Sequence, residues 1–181
     1  MFPVPPEKPS GTKEDDMIAI VAADKNWGIG RGGALLLRVP ADMKRFRAIT
    51  TGKTIVLGRK TLITFPQGKP LPDRLNIVLS RNPSYRVKDA VTAGSAEHLR
   101  AYLEEHRIPD DETYVIGGEQ VYQLLMPYCD TCLVTRFDRA FDADAFFPDL
   151  DADDAWERTE SSEEQVYFDT TYTFCTYKRK T

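Results

Sequence analysis

The chain has 181 residues, of which 41% are hydrophobic, 29% charged and 10% aromatic, with a formal net charge of −4. This is the composition of one soluble globular domain with a real core, and it excludes disordered and fibrous classes. No apolar run, Ala34-Leu35-Leu36-Leu37 included, approaches the ~20 residues of a membrane span, so membrane and secreted classes are excluded too.

Residues 1–16, with Pro3, Pro5, Pro6, Pro9 and Gly11, read as a flexible tail without the apolar stretch of a signal peptide. Residues 17–181 form the domain. It opens on an unbroken apolar run, Met17-Ile18-Ala19-Ile20-Val21-Ala22-Ala23, which reads as a buried strand. A glycine-rich loop continues to about residue 38. Pro40 then opens a helix through residue 49, where Met43, Phe46 and Ile49 recur at helical spacing and predict a buried face. Thr54-Ile55-Val56-Leu57 is a second strand ending at Gly58, followed by a short helix over 59–65 and a turn-rich stretch over 66–72.

A third strand covers 75–80, and Ser95 is placed to cap a helix through residue 105. Thr113-Tyr114-Val115-Ile116 is another buried strand, halted by Gly117-Gly118 before a helix over 119–125. Strand character returns at Leu133-Val134-Thr135. The last third alternates, in Val166-Tyr167-Phe168 and in Tyr172 to Tyr177, and reads as antiparallel edge strands. Strands alternating with helices, then late strands together, predict a mixed α/β sheet with helices on both faces.

Charge is unevenly spread. Residues 138–164 hold eleven acids against Arg139 and Arg158, whereas residues 38–88 hold twelve Lys/Arg against Asp42 and Asp73. The acidic total argues against nucleic-acid binding, while the basic middle suits a small polyanion such as a phosphorylated cofactor. The plainer reading is a solvated surface whose charge balances across the fold. The three cysteines, Cys129, Cys132 and Cys175, suit a reducing compartment. Cys129 and Cys132 spell C-x-x-C, but the motif precedes a strand, and His98 and His106 fall on a polar helix away from it. Redox and metal roles are therefore disfavoured.

Gly28-Ile29-Gly30-Arg31-Gly32-Gly33 matches the dinucleotide fingerprint, yet no helix opens at its third glycine. A mobile loop over a pocket fits better. Gly58-Arg59-Lys60-Thr61 joins a strand end to a helix start, where backbone N–H groups and the helix dipole suit phosphate. Ser80-Arg81 supplies a second clamp, and Gly117-Gly118 repeats the design with room for close approach. Asp42 lies in the first turn of its helix. It is either a dipole-stabilising acid or a half-buried carboxylate that grips an amidine-like ligand edge.

Seven segments in order carry a resemblance to the dihydrofolate reductase family over residues 17–177. They are Ile20-Val21-Ala22-Ala23, Asn26-Trp27-Gly28-Ile29-Gly30, Val39-Pro40-Ala41-Asp42-Met43-Lys44-Arg45-Phe46, Gly58-Arg59-Lys60-Thr61, Leu71-Pro72-Asp73-Arg74-Leu75-Asn76-Ile77-Val78-Leu79-Ser80, Val115-Ile116-Gly117-Gly118 and Phe147-Pro148-Asp149. The resemblance implies a single-domain, mostly parallel, eight-stranded mixed sheet. It also implies NADPH-dependent reduction of 7,8-dihydrofolate to tetrahydrofolate for one-carbon and thymidylate metabolism, by a cytoplasmic monomer that antifolates bind.

By the same resemblance Asp42, helped by Thr135, grips the pterin edge and is the catalytic carboxylate. Ile20, Ala22, Met43, Phe46, Phe65, Leu71, Ile116 and Tyr122 surround the substrate, and Arg74 holds its glutamate carboxylate. The cofactor falls to Ala22, Ile29, Gly30, Gly58, Arg59, Lys60, Thr61, Leu79, Ser80, Arg81, Gly117, Gly118, Glu119, Gln120, Val121 and Tyr122. Arg59 and Arg81 favour the 2′-phosphate, and Gly117-Gly118 meets the pyrophosphate through a cis peptide. Leu37 stands where the family nearly always has Trp, whose indole N–H organises a water near the carboxylate; leucine has no donor. A related pterin or pyrimidine reductase and a non-catalytic folate- or NADPH-binding paralogue are the alternatives.

Overall fold

The computed structural model describes residues 16–181, so all of the expected tail but Asp16 lies outside the described residues. The elements run β1 (Met17–Ala23), β2 (Gly28–Gly30), α1 (Pro40–Thr50), β3 (Thr54–Gly58), α2 (Arg59–Ile63), β4 (Leu75–Leu79) and β5 (Val91–Ala93). They continue with α3 (Ala96–Glu105), β6 (Thr113–Gly117), α4 (Glu119–Leu125), β7 (Cys129–Phe137), β8 (Ala145–Phe146), β9 (Trp156–Ser161), β10 (Gln165–Tyr167) and β11 (Thr170–Arg179).

The main sheet runs β10-β11-β7-β1-β6-β3-β4-β5. From β7 to β5 every pairing is parallel, and β11 is antiparallel to β7, β9 and β10. It is thus eight strands across, with a ninth because β10 and β9 follow one another along the same edge of β11. Along the parallel strands successive side chains face opposite ways. Val56, Ile77, Leu79 and Val115 join Leu99 and Leu103 of α3 and Val121 and Leu125 of α4 in one core. Their neighbours Ile55, Leu57 and Val78 join Leu62 of α2 in a second. Burial on both faces is why these strands read as continuous apolar runs.

Several local expectations change. The apolar stripe of α1 is not buried: Met43 is 40% exposed, and Phe46 and Ile49 are half-buried. The stripe joins none of the buried clusters among the described residues. The glycine loop is not all loop, because β2 pairs antiparallel with β8 in a small separate ribbon. α2 stops at Ile63, β4 at Leu79, and β10 before Phe168, whose φ of 52° takes it out of extended backbone. The C-x-x-C pair lies inside β7, not before it, and both thiols are buried and pushed up by desolvation, away from thiolate chemistry. α3 is amphipathic rather than polar, burying Ala96, Leu99 and Leu103, and Ser95 caps it by accepting from the His98 N–H at 3.0 Å. Among the described residues no helix is long and apolar enough to cross a membrane.

Candidate active site

Because β3 and β6 are parallel neighbours, the helices that follow them, α2 and α4, begin side by side at one end of the sheet. Their caps are Gly58 and Gly118, and neither start is closed by a side-chain bond, which leaves first-turn N–H groups for a ligand. Space is tight at Gly58 and Gly117 and ordinary at Gly118. A Cβ on Gly58 would lie 3.1 Å from Val121 Cγ2, one on Gly117 3.2 Å from the Tyr122 ring, and one on Gly118 3.4 Å from Thr61 Oγ1. Gly117 also has a φ of 120°, and the Gly117–Gly118 peptide is cis.

Arg59 and Lys60 stand exposed on the first turn of α2, and Ser80 and Arg81 follow neighbouring β4. Uncapped N–H groups, cations and a floor without side chains fit a diphosphate carrying a further phosphate. Other residues expected here are placed differently. Leu79 and Val121 are buried, so their side chains serve packing. Gln120 is exposed, Ile29 packs against the core, and Glu119 Oε2 accepts from the Phe146 N–H at 2.6 Å.

Around the corner lies the cleft under α1. Asp42 is half-buried, and its Oδ1 accepts from the Thr135 hydroxyl at 2.6 Å. Burial pushes its carboxyl above the usual carboxylate value, opposed by the Thr135 bond and by the charge of Arg45. Ala22 pairs with Thr135 across β1 and β7, which brings the end of β1 beside the carboxylate. The Ile20 carbonyl accepts from the Tyr122 hydroxyl at 2.7 Å, and burial keeps that phenol protonated as a donor. Phe65, Leu71 and Ile116 pack against one apolar cluster, while Met43 and Phe46 follow Asp42 on α1, Met43 exposed and Phe46 half-buried.

At its outer end the Asn76 amide braces a turn, donating to the Leu71 and Arg74 carbonyls at 2.9 and 3.1 Å. The turn presents Arg74, whose Nε is buried without a partner. Burial and the neighbouring Arg47 charge both push this guanidinium down, Asp73 opposing them. Two cations so close suit a carboxylate.

The family model for dihydrofolate reductase matches residues 16–179. The chain belongs to the dihydrofolate reductase family. It is 37% identical to the dihydrofolate reductase of Neisseria meningitidis serogroup A over 161 residues, covering 88% of this chain and 96% of that one. It is 41% identical to the Mycobacterium tuberculosis H37Rv enzyme over 140 residues, 75% of this chain and 82% of the other. The solved dihydrofolate reductase of Enterococcus faecalis, complexed with NADP(H) and RAB-propyl, superimposes with a TM-score of 0.77 at 32% identity, covering 92% and 97% of the two chains.

Within this dihydrofolate reductase fold, three features escape the sequence reading. Asp24 is fully buried at the root of the glycine loop. Its Oδ1 accepts from the Asn26 and Gly28 N–H groups at 2.9 and 2.8 Å, and its Oδ2 from the Phe141 N–H at 2.8 Å. Farther out, Asp144 Oδ2 accepts from the Gly32 N–H at 2.9 Å, latching the loop onto the ribbon. Asp24 could have been found from the acid followed by Asn26 and Gly28, an Asx-turn pattern. Arg45 and Arg47 are lost in a generally basic stretch, although Arg45 is one helical turn from Asp42. Leu37 is half-buried and packs, as Ala22, Phe141 and Phe174 do, against the cluster of Val39, Phe137 and Tyr172, filling apolar space without offering a polar group.

Proposed function

We infer that this chain reduces 7,8-dihydrofolate to 5,6,7,8-tetrahydrofolate with NADPH. One observation carries the reading: a half-buried carboxylate held by a hydroxyl, together with two neighbouring uncapped helix starts, one of them bearing Arg59 and Lys60. When bound, NADPH supplies the hydride. Everything else falls to the protein, and most of it is positioning and exclusion of water. Asp42 pairs with the amino-pyrimidine edge of the pterin and Thr135 fixes the carboxylate's orientation. Met43, Phe46, Phe65, Leu71 and Ile116 flank the rings, and Arg74 with Arg47 takes the glutamate carboxylate. Arg59, Lys60, Ser80 and Arg81 hold phosphates, with the 2′-phosphate selecting NADPH over NADH. The loop from Asp24 to Leu37 closes over the reacting atoms. The remaining proton goes from water to the substrate nitrogen, favoured by the negative field of Asp42.

Residues 17–181 act as one catalytic domain, working as a monomer in the cytoplasm without nucleic acid. Purified protein should consume NADPH only when dihydrofolate is present. NADPH binding without turnover at micromolar enzyme would instead identify a non-catalytic binder. Turnover with pterins lacking a glutamate tail, equal to that with dihydrofolate, would identify a different pterin reductase.

A further inference from the structure

Arg45 follows Asp42 by three residues on α1 and so shares its face of the helix. Its guanidinium lies over the Phe174 ring, Cζ 4.5 Å from the centroid. Phe174 of β11 is directly opposite Thr135 of β7, so the two side chains stand together on one face of the sheet. Thr135 in turn donates to Asp42. The four residues therefore form a chain of carboxylate, hydroxyl, aromatic platform and guanidinium whose two ends, Asp42 and Arg45, lie one helical turn apart. Leu37 joins the Phe174 cluster and adds no hydrogen-bonding group.

We propose that Arg45 is a positioning residue for the reduction, the cation that balances the half-buried Asp42 charge where Leu37 brings nothing polar. The proposal rests on Asp42 gripping the pterin. A planar guanidinium suits the place, since it stacks on the ring within one helical turn of the carboxylate and keeps fixed donors. The charged and titratable groups facing the pair are few. Asp42 faces the Thr135 hydroxyl and Arg45, and Arg45 faces Asp42 and Cys175 of β11. Burial works against both ions and each supports the other, so removing Arg45 leaves burial less opposed.

The test uses the whole ligand-free protein with 13C-labelled aspartate, the Asp42 resonance being assigned by its loss in Asp42→Asn. In Arg45→Met, which still covers Phe174, the Asp42 titration midpoint should rise by about one pH unit, a tenfold change in its protonation equilibrium. Arg45→Lys should restore most of it. The pH profile of kcat/KM for dihydrofolate should move to higher pH in Arg45→Met, because losing a cation raises every titration nearby. A purely structural role lowers that profile without moving it. An unchanged Asp42 midpoint in folded Arg45→Met overturns the proposal. Wild-type turnover by Asp42→Asn would overturn the pterin-gripping role instead, a separate result that leaves the titration comparison readable.

Discussion

Replacing Asp42 by asparagine keeps its shape and its bond from Thr135 while removing the charge. A first-turn acid that only answers the helix dipole would cost about 0.3–1 kcal/mol of stability when neutralised. The burial of Asp42 reverses that sign. Its folded value lies above the usual 3.8, so between the two values the folded chain holds more protons than the unfolded one. Stability from this group falls as pH rises through that window, and above it the ionised carboxylate is a constant cost. Asp42→Asn should therefore melt no lower than wild type at neutral pH, and the difference should shrink on acidification. Turnover should fall roughly 10²–10⁴-fold at neutral pH, with NADPH affinity unchanged. A variant that melts lower yet reduces dihydrofolate normally would return Asp42 to the role of a helix-capping acid.

The proposed reading of the dinucleotide rests on two helix starts, those of α2 and α4. Arg59 adds a mobile charge to fixed N–H groups, and a charge-assisted bond of this kind contributes about 1.5–3 kcal/mol. Arg59→Ala should weaken NADPH binding by roughly 10–100-fold and leave NADH nearly untouched, as competitive titration of the two cofactors will show. Gly117 is the backbone counterpart. Its φ of 120° and a Cβ only 3.2 Å from Tyr122 predict that Gly117→Ala costs about 1–3 kcal/mol in denaturant unfolding. The same elements show what could be read in advance. β3, β4 and β6 were legible because both faces are buried, and the glycine-to-helix junctions because glycine and cation adjoin in sequence. β9 was not, since only Trp156 of its six residues is buried and an open edge imposes no alternation. β8 has two residues, too few for any period. The cleft stripe on α1 gave the opposite error, because Met43 and Phe46 look the same in sequence whether they meet a core or a ligand.

Across the whole molecule half of the basic stretch falls in two groups, Arg45, Arg47 and Arg74 near the proposed substrate residues and Arg59, Lys60 and Arg81 at the ends of β3 and β4. A net charge of −4 hides this local field. It should steer an anionic dinucleotide, so NADPH association should slow several-fold from about 0.01 to about 0.15 M ionic strength, as the screening length drops from about 30 to about 8 Å. Stopped-flow traces should show dissociation changing less. The β2–β8 ribbon is joined to the start of α4 by the 2.6 Å bond from the Phe146 N–H to Glu119. Any excursion that swings the ribbon outward must first part that amide from its carboxylate. Deuterium uptake at one backbone position then becomes a stopwatch for the ribbon, readable in the resting protein before any ligand has been added.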